Sequence, residues 1–272
     1  MRWVQVWAAA CAAAVTTVAA AQVTTSSYPG MDAAALARAS ESPLADVTVL
    51  TLQDDLQPEH GPAGGFRNVL NLQPVLPFAM GEAVLATRTV IPLVRQPGLA
   101  AGAGGTFGLG NVTFSALLGP ARSSGVVWAV GATGLFPTAT APELGSRSTW
   151  GLGPSLLVLG QPGRWLLGAL ATNVWSVAGA RWNELTVQYL VNYTFASGWF
   201  LTSSPVVRAD WTAPRDDRWT VPIGGGLGKL LVVGGLPVKL SAQAFWNAVR
   251  PDDRAGHPSS PWEARISLGV LP

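Results

Sequence analysis

The sequence predicts an all-β chain that crosses a membrane as an antiparallel up-and-down β-barrel of about twelve strands, with a short N-terminal helix. Three observations carry this prediction. Apolar and polar residues alternate with period two through most of the chain, connections alternate between short and long, and tryptophans gather at strand ends. Of the 272 residues, 49% are hydrophobic and 12% charged, where an ordinary soluble domain carries about 25% charge. The apolar residues after residue 22 never run to the twenty or so that a membrane helix needs, so a closed barrel is the spanning structure left to the chain.

Taken in order, residues 1–21 have the form of a secretory signal peptide: Arg2, an apolar run and an Ala19-Ala20-Ala21 ending. The single cysteine, Cys11, falls inside it, with too short an apolar stretch before it for a lipoprotein signal. The mature chain is therefore expected to have no thiol and no disulfide. Removing Arg2 from the 17 Lys and Arg leaves 16 against 15 acidic residues, a balance that gives nucleic acid no electrostatic footing. Residues 22–45 read as a polar arm followed by a helix at Asp32 to Ser40, with Asp32 as N-cap and Pro43 beyond its end. So short a helix is marginal alone and needs a surface to dock on.

Residues 46–272 are expected to form the barrel. The clearest strand is Glu184 to Phe195, with Leu185, Val187, Tyr189, Val191, Tyr193 and Phe195 on one face and Glu184, Thr186, Gln188 and Asn192 on the other. Twelve such strands centre near Val49, Asn71, Thr87, Thr113, Val130, Ser155, Ala169, Val187, Val206, Gly224, Gln243 and Ser267. The last puts Trp262, Ala264, Ile266, Leu268 and Val270 toward lipid and Glu263, Arg265 and Ser267 toward the lumen. Its seam partner is expected to be the first strand, near Asp46 to Leu52.

Joins after even strands are short: Ala79 to Glu82, Gly119 to Gly125, Gly160 to Gly163, Ala196 to Gly198, and Gly234-Gly235. Those after odd strands are mostly longer: Asp54 to Gly65, Arg95 to Gly104, Pro137 to Ser148 and Arg250 to Pro261. That asymmetry belongs to outer-membrane barrels with both termini in the periplasm. Trp150, Trp182, Trp211, Trp219 and Trp262 fall near the long loops, and Trp165, Trp199 and Phe195 near the short turns, as two interfacial girdles. Pro74, Pro92, Pro137, Pro154, Pro205 and Pro222 fall in or beside strands, where each removes a ladder donor. They are expected at bulges or strand ends; clustered on one wall, they would open a sideways gap.

Seven motifs in order, Asn71-Leu72-Gln73-Pro74-Val75, Arg88 to Leu93, Phe107 to Asn111, Phe136 to Thr140, Trp150 to Pro154, Trp175 to Gly179 and Pro222 to Lys229, resemble a Gram-negative outer-membrane β-barrel family. Its members are labelled putative transporter, MetA-pathway of phenol degradation protein or, wrongly, neuromedin U. The resemblance runs from about Ala35 to the C-terminus. It implies an outer-membrane barrel that passes small, hydrophobic or aromatic molecules. Asn111 stands where an acidic residue is expected in the family pattern.

Gly224-Gly225-Gly226-Leu227-Gly228-Lys229 has the look of a phosphate loop, but Ile223 replaces its first glycine and Leu230 its serine or threonine. Instead Gly224, Gly226 and Gly228 alternate on one strand face and leave room in the lumen, either for packing or for a path. His60 and His257 are expected in exposed loops, so no strand supplies a histidine base, and no catalysis, metal or cofactor is expected. The doublets Asp54-Asp55, Asp216-Asp217 and Asp252-Asp253 are read as turns.

The candidate permeation residues are those expected to point inward: Arg67, Asn71, Gln73, Arg88, Glu184, Gln188, Asn192, Arg208, Asp210, Lys239, Gln243, Glu263 and Arg265. A charge facing the bilayer midplane costs about 2–4 kcal/mol, which sends these groups to the lumen. The chain is thus read as a channel or transporter, passive or gated by the N-terminal helix, in a Gram-negative outer membrane. A non-conducting structural or ligand-binding barrel is the alternative. Its expected partners are membrane lipid, lipopolysaccharide, the barrel-assembly machinery and an unnamed small solute, with no nucleic acid. The closing strand ends in Leu271-Pro272, in place of the usual terminal aromatic.

Overall fold

The structure, a computed structural model, describes residues 48–271 apart from 62, 100–101, 122–124, 146–147, 234–235 and 253–258. The expected signal peptide, arm, helix, His257 and the Gly234-Gly235 turn lie outside the described residues.

Fourteen strand segments follow one another: β1 (Val49–His60), β2 (Gly65–Met80), β3 (Ala83–Gln96), β4 (Thr106–Leu109), β5 (Val112–Pro120), β6 (Val126–Phe136), β7 (Trp150–Gly160), β8 (Trp165–Ala178), β9 (Asn183–Thr194), β10 (Trp199–Ser203), β11 (Val206–Asp210), β12 (Trp219–Val233), β13 (Leu236–Val249) and β14 (Trp262–Val270). All pairings are antiparallel between neighbours. β4 and β5 both pair with β3, and β10 and β11 both bridge β9 and β12, so each couple is one broken stave. Twelve staves result. β1 closes on β14 from Leu50↔Val270 to Leu56↔Ala264, leaving no free edge at the seam. All twelve expected strand centres fall within these segments.

The breaks have local causes. Pro205 follows Ser204 between β10 and β11 and has no N–H for the ladder. Between β4 and β5, Gly110 N donates to Pro92 O at 2.8 Å. A Cβ on Gly110 would lie 3.1 Å from the Pro92 ring and 3.2 Å from the Leu144 carbonyl. Pairing of β2 with β3 lapses at Pro74, that of β7 with β8 at Pro154, and β12 shifts register at Val221/Pro222. Pro137 comes directly after β6. The prolines fall on neighbouring staves, Pro74 and Pro92 on β2 and β3, Pro137 and Pro154 at β6 and β7, and Pro205 and Pro222 at β11 and β12.

The outer face carries the apolar residues. Trp150, Trp175, Trp219, Trp246 and Trp262 are exposed toward the rim opposite the termini, and Trp128, Trp165, Trp199 and Phe195 toward the terminal rim. Trp165 packs on Tyr193 (4.9 Å between centroids), and Tyr193 on Phe195 (5.0 Å), which fits aromatic belts at two interfaces.

One loop prediction is corrected. The expected long join from Asp54 to Gly65 is mostly strand, because β1 runs to His60 and β2 starts at Gly65. Polar residues here mark a lumen-facing side, not a turn: Gln53, Asp55 and Gln57 alternate inward. Asp54 lies on the other face and accepts a hydrogen bond from Asn68 Nδ2. His60, expected to be exposed, is buried.

Candidate functional site in the barrel lumen

Alternation fixes which side chains enter the lumen, and register fixes their height. At the seam Arg265 faces Asp55. Its Nε donates to Asp55 Oδ1 at 2.6 Å, its Nη2 to Glu263 Oε1 at 2.8 Å and its Nη1 to the Ser204 carbonyl at 2.6 Å. The guanidinium also lies 5.1 Å from the centre of the Phe245 ring and is 4% exposed. Asp55 accepts further bonds from Gln53 Nε2 (2.8 Å) and Asn71 Nδ2 (3.1 Å). Ser204 sits at the break between β10 and β11. Its N and Oγ meet Gln243 Oε1 at 3.0 and 3.2 Å, so the broken stave is tied across the lumen to β13 and β14.

Toward the far rim, Arg67 donates to Gln57 Oε1 (2.9 Å) and Gln96 Oε1 (3.0 Å), while Gln57 Nε2 donates to Glu263 Oε2 (3.2 Å). Arg208 pairs with Glu184 at 3.3 Å. Asp210 instead caps the turn after β11, accepting from Thr212 N (2.8 Å) and Oγ1 (2.6 Å). Asn192 is buried with neither amide atom hydrogen-bonded.

Toward the terminal rim lies a cavity of about 160 Å³, reached by Gln53, Gln73, Arg88, Gln188, Lys239 and Gln243 together with hydroxyls of Thr51, Thr202, Ser204, Ser241 and Ser267. Arg88 Nη2 donates to Gln73 Oε1 at 2.7 Å. Lys239 Nζ lies 4.5 Å from the centre of the Phe200 ring. The cavity thus gathers candidates from β2, β3, β9 and β13 that are far apart in sequence.

The three glycines serve close packing. A Cβ on Gly228 would lie 2.1 Å from the Phe200 ring, and one on Gly226 would lie 1.8 Å from the Ala242 carbonyl. Gly224, at φ +157°, would place its Cβ 2.0 Å from the Ala244 carbonyl.

Across from this polar wall, the lumen is apolar and filled. Val84, Ala86, Leu117, Ala129, Leu157, Leu159 and Leu166 form one buried cluster, against which Leu170 and Leu190 pack. A ladder of hydroxyls borders it, Ser115 to Thr133 (2.6 Å), Thr133 to Ser155 (2.7 Å) and Ser155 to Thr172 (3.0 Å). The loop after β6 folds inward: a 3-10 turn at Pro142–Leu144 sets Leu144 against Val69 and Val94.

Sequence reasoning missed Asp55, Gln53, Gln57, Ser204 and Leu144. The first three follow the parity of Gln73 and Arg67 once β1 is extended past Asp54, a signal present in the alternation. Ser204 falls on the polar face that alternation from Trp199 to Trp211 indicates, but its contacts depend on the break there, and Leu144 depends on how a loop turns inward, which periodicity does not encode.

No protein-family profile matches the sequence, and no curated protein matches it. Among solved structures, the barrel is similar to an outer membrane channel from Pseudomonas putida F1, at 14% identity over 83% of this chain and 95% of that one, with a TM-score of 0.60. It is more loosely similar to outer membrane phospholipase A from Escherichia coli (14% identity, 83% and 89% covered, TM-score 0.44). A FadL homologue from Pseudomonas aeruginosa stands at a like distance (11% identity, 86% and 93% covered, TM-score 0.43). The chain therefore has the fold of an outer-membrane β-barrel.

Proposed function

We propose that the protein is an outer-membrane channel for small molecules, hydrophobic or aromatic ones among them. One observation carries the reading: a polar cavity lies inside the lumen, between the Arg265 network and the terminal rim. A barrel of this size leaves little room once side chains enter it, and the apolar cluster fills much of one wall. The path is therefore narrow and suits single small solutes. The resemblance of the seven sequence motifs to the phenol-degradation transporter family supports the same reading. In this reading passage is passive or gated by the N-terminal segment, lipopolysaccharide surrounds the outer girdle, and the barrel-assembly machinery recognises β14.

Single-channel recording on the purified mature protein in planar bilayers tests this. Small, discrete conductance steps are expected, larger after deletion of residues 22–42. Silent bilayers with both proteins overturn it. The packed apolar wall favours a second reading, a non-conducting barrel that holds a ligand, and solute binding with no conductance would establish that one.

A further inference from the structure

The lumen separates its charges by height. Asp55, Glu184, Asp210 and Glu263 all lie at or beyond the level of the Arg265 pair, toward the rim opposite the termini. Arg88 lies at the other end: it is opposite Val75, which is opposite Val49, six residues before Asp55 on β1. Arg265 and Arg208 each have a carboxylate within 3.3 Å. Arg88 has none. Among the described residues its side chain makes one hydrogen bond, to the neutral Gln73. Arg88 is the one guanidinium among the described residues that line the cavity, and that described lining contains no carboxylate.

A guanidinium held in a confined lumen beside neutral groups is strongly stabilised by an anion, because burial raises the cost of an uncompensated charge. Its planar fork matches a carboxylate, two N–H groups to two oxygens. The rest of the cavity is suited to the body of such a ligand. Leu190 lines it and packs on the apolar cluster, and Val49 and Leu271 add apolar surface near the terminal rim. Gln188 and Ser267 supply further donors around the head. The converging polar groups fix a small ligand's orientation, and Leu190, Val49 and Leu271 give its body apolar contact.

We propose that this cavity is a binding site for small organic anions, a carboxylate on a compact apolar or aromatic body, with the carboxylate seated on Arg88. The site rests on the channel reading for its role as a station along the path, but its occupancy is measurable without any current. Arg88 is the anchoring residue.

The test uses the purified mature barrel in detergent. Calorimetric titration compares benzoate, benzyl alcohol and inorganic phosphate, and bilayer recording follows with the same three solutes. Benzoate is expected to bind saturably and at least tenfold more tightly than either of the others. Arg88→Gln should lower benzoate affinity at least tenfold, and Arg88→Lys should lower it less. Heat-modifiable gel mobility reports a folded barrel for each variant. Equal binding of benzoate and benzyl alcohol, or tighter binding of phosphate, overturns the proposal even where the barrel conducts. Benzoate binding in a barrel that never conducts upholds the site and overturns the channel. Benzoate affinity unchanged in folded Arg88→Gln removes Arg88 as the anchor.

Discussion

Arg265 Nε and Asp55 Oδ1 meet at 2.6 Å across the seam that closes the barrel. The two residues are 210 positions apart, so the contact exists only when the first strand has found the last. Glu263 and the Ser204 carbonyl complete the shell of Arg265. The same side chain therefore locks the seam and holds the bowed break between β10 and β11 in the lumen.

Arg265→Met leaves the Asp55 and Glu263 carboxylates without their shared cation, and Asp55→Leu leaves Arg265 with Glu263 alone; breaking a buried pair costs about 3–5 kcal/mol. Asp55→Leu and Arg265→Met should each destabilise the barrel by that order in urea unfolding from lipid vesicles. The double variant should be more stable than Arg265→Met alone, because one of the two carboxylates left without the guanidinium is also gone. Additive losses in the double variant would show that the two groups do not act as a pair.

The inward loop makes a separate prediction. Leu144 is buried between Val69 and Val94, and its 3-10 turn covers part of the far mouth. Placing a carboxylate there opposes burial. Leu144→Asp should release the loop and raise single-channel conductance, while Val49 to Val270 stays folded by heat-modifiable mobility. A conductance equal to wild type would mean that the loop does not narrow the path.

Strand parity was legible throughout because a barrel wall has two media and no third. Glu263, Arg265 and Ser267 alternate inward and Leu268 outward, as the sequence alone indicates. The seam was legible for the same reason, since a membrane permits no open edge. Two kinds of information were not. In β1, polarity reads as loop to any rule that expects polar residues at turns, yet Gln53, Asp55 and Gln57 form a strand because the lumen tolerates them. The pairing of Ser204 with Gln243 and Arg265 depends on a proline break that bows inward, and its direction is set by the facing wall.

Glycine packing offers a controlled comparison. A methyl on Gly228 would sit 2.1 Å from the Phe200 ring, whereas one on Gly104 meets nothing within 4 Å. Overpacking typically costs about 1–3 kcal/mol. Gly228→Ala should fall in that range by urea unfolding, and Gly104→Ala should leave the midpoint unchanged. Similar effects at both positions would place Phe200 elsewhere than over Gly228.

The closing strand tests the two faces on adjacent residues. Leu268 pairs outward with Leu52 and Leu240, and Ser267 lines the cavity between Gln53 and Ser241. An arginine at position 268 would enter the hydrocarbon at a cost of about 2–4 kcal/mol near the midplane. Ser267→Ala removes one hydroxyl from a wall that holds several others and should shift stability by less than about 1 kcal/mol. Folding yield into lipid vesicles should therefore fall sharply for Leu268→Arg and stay near wild type for Ser267→Ala. Equal yields would invert the parity of β14, and with it the inward placement of Arg265.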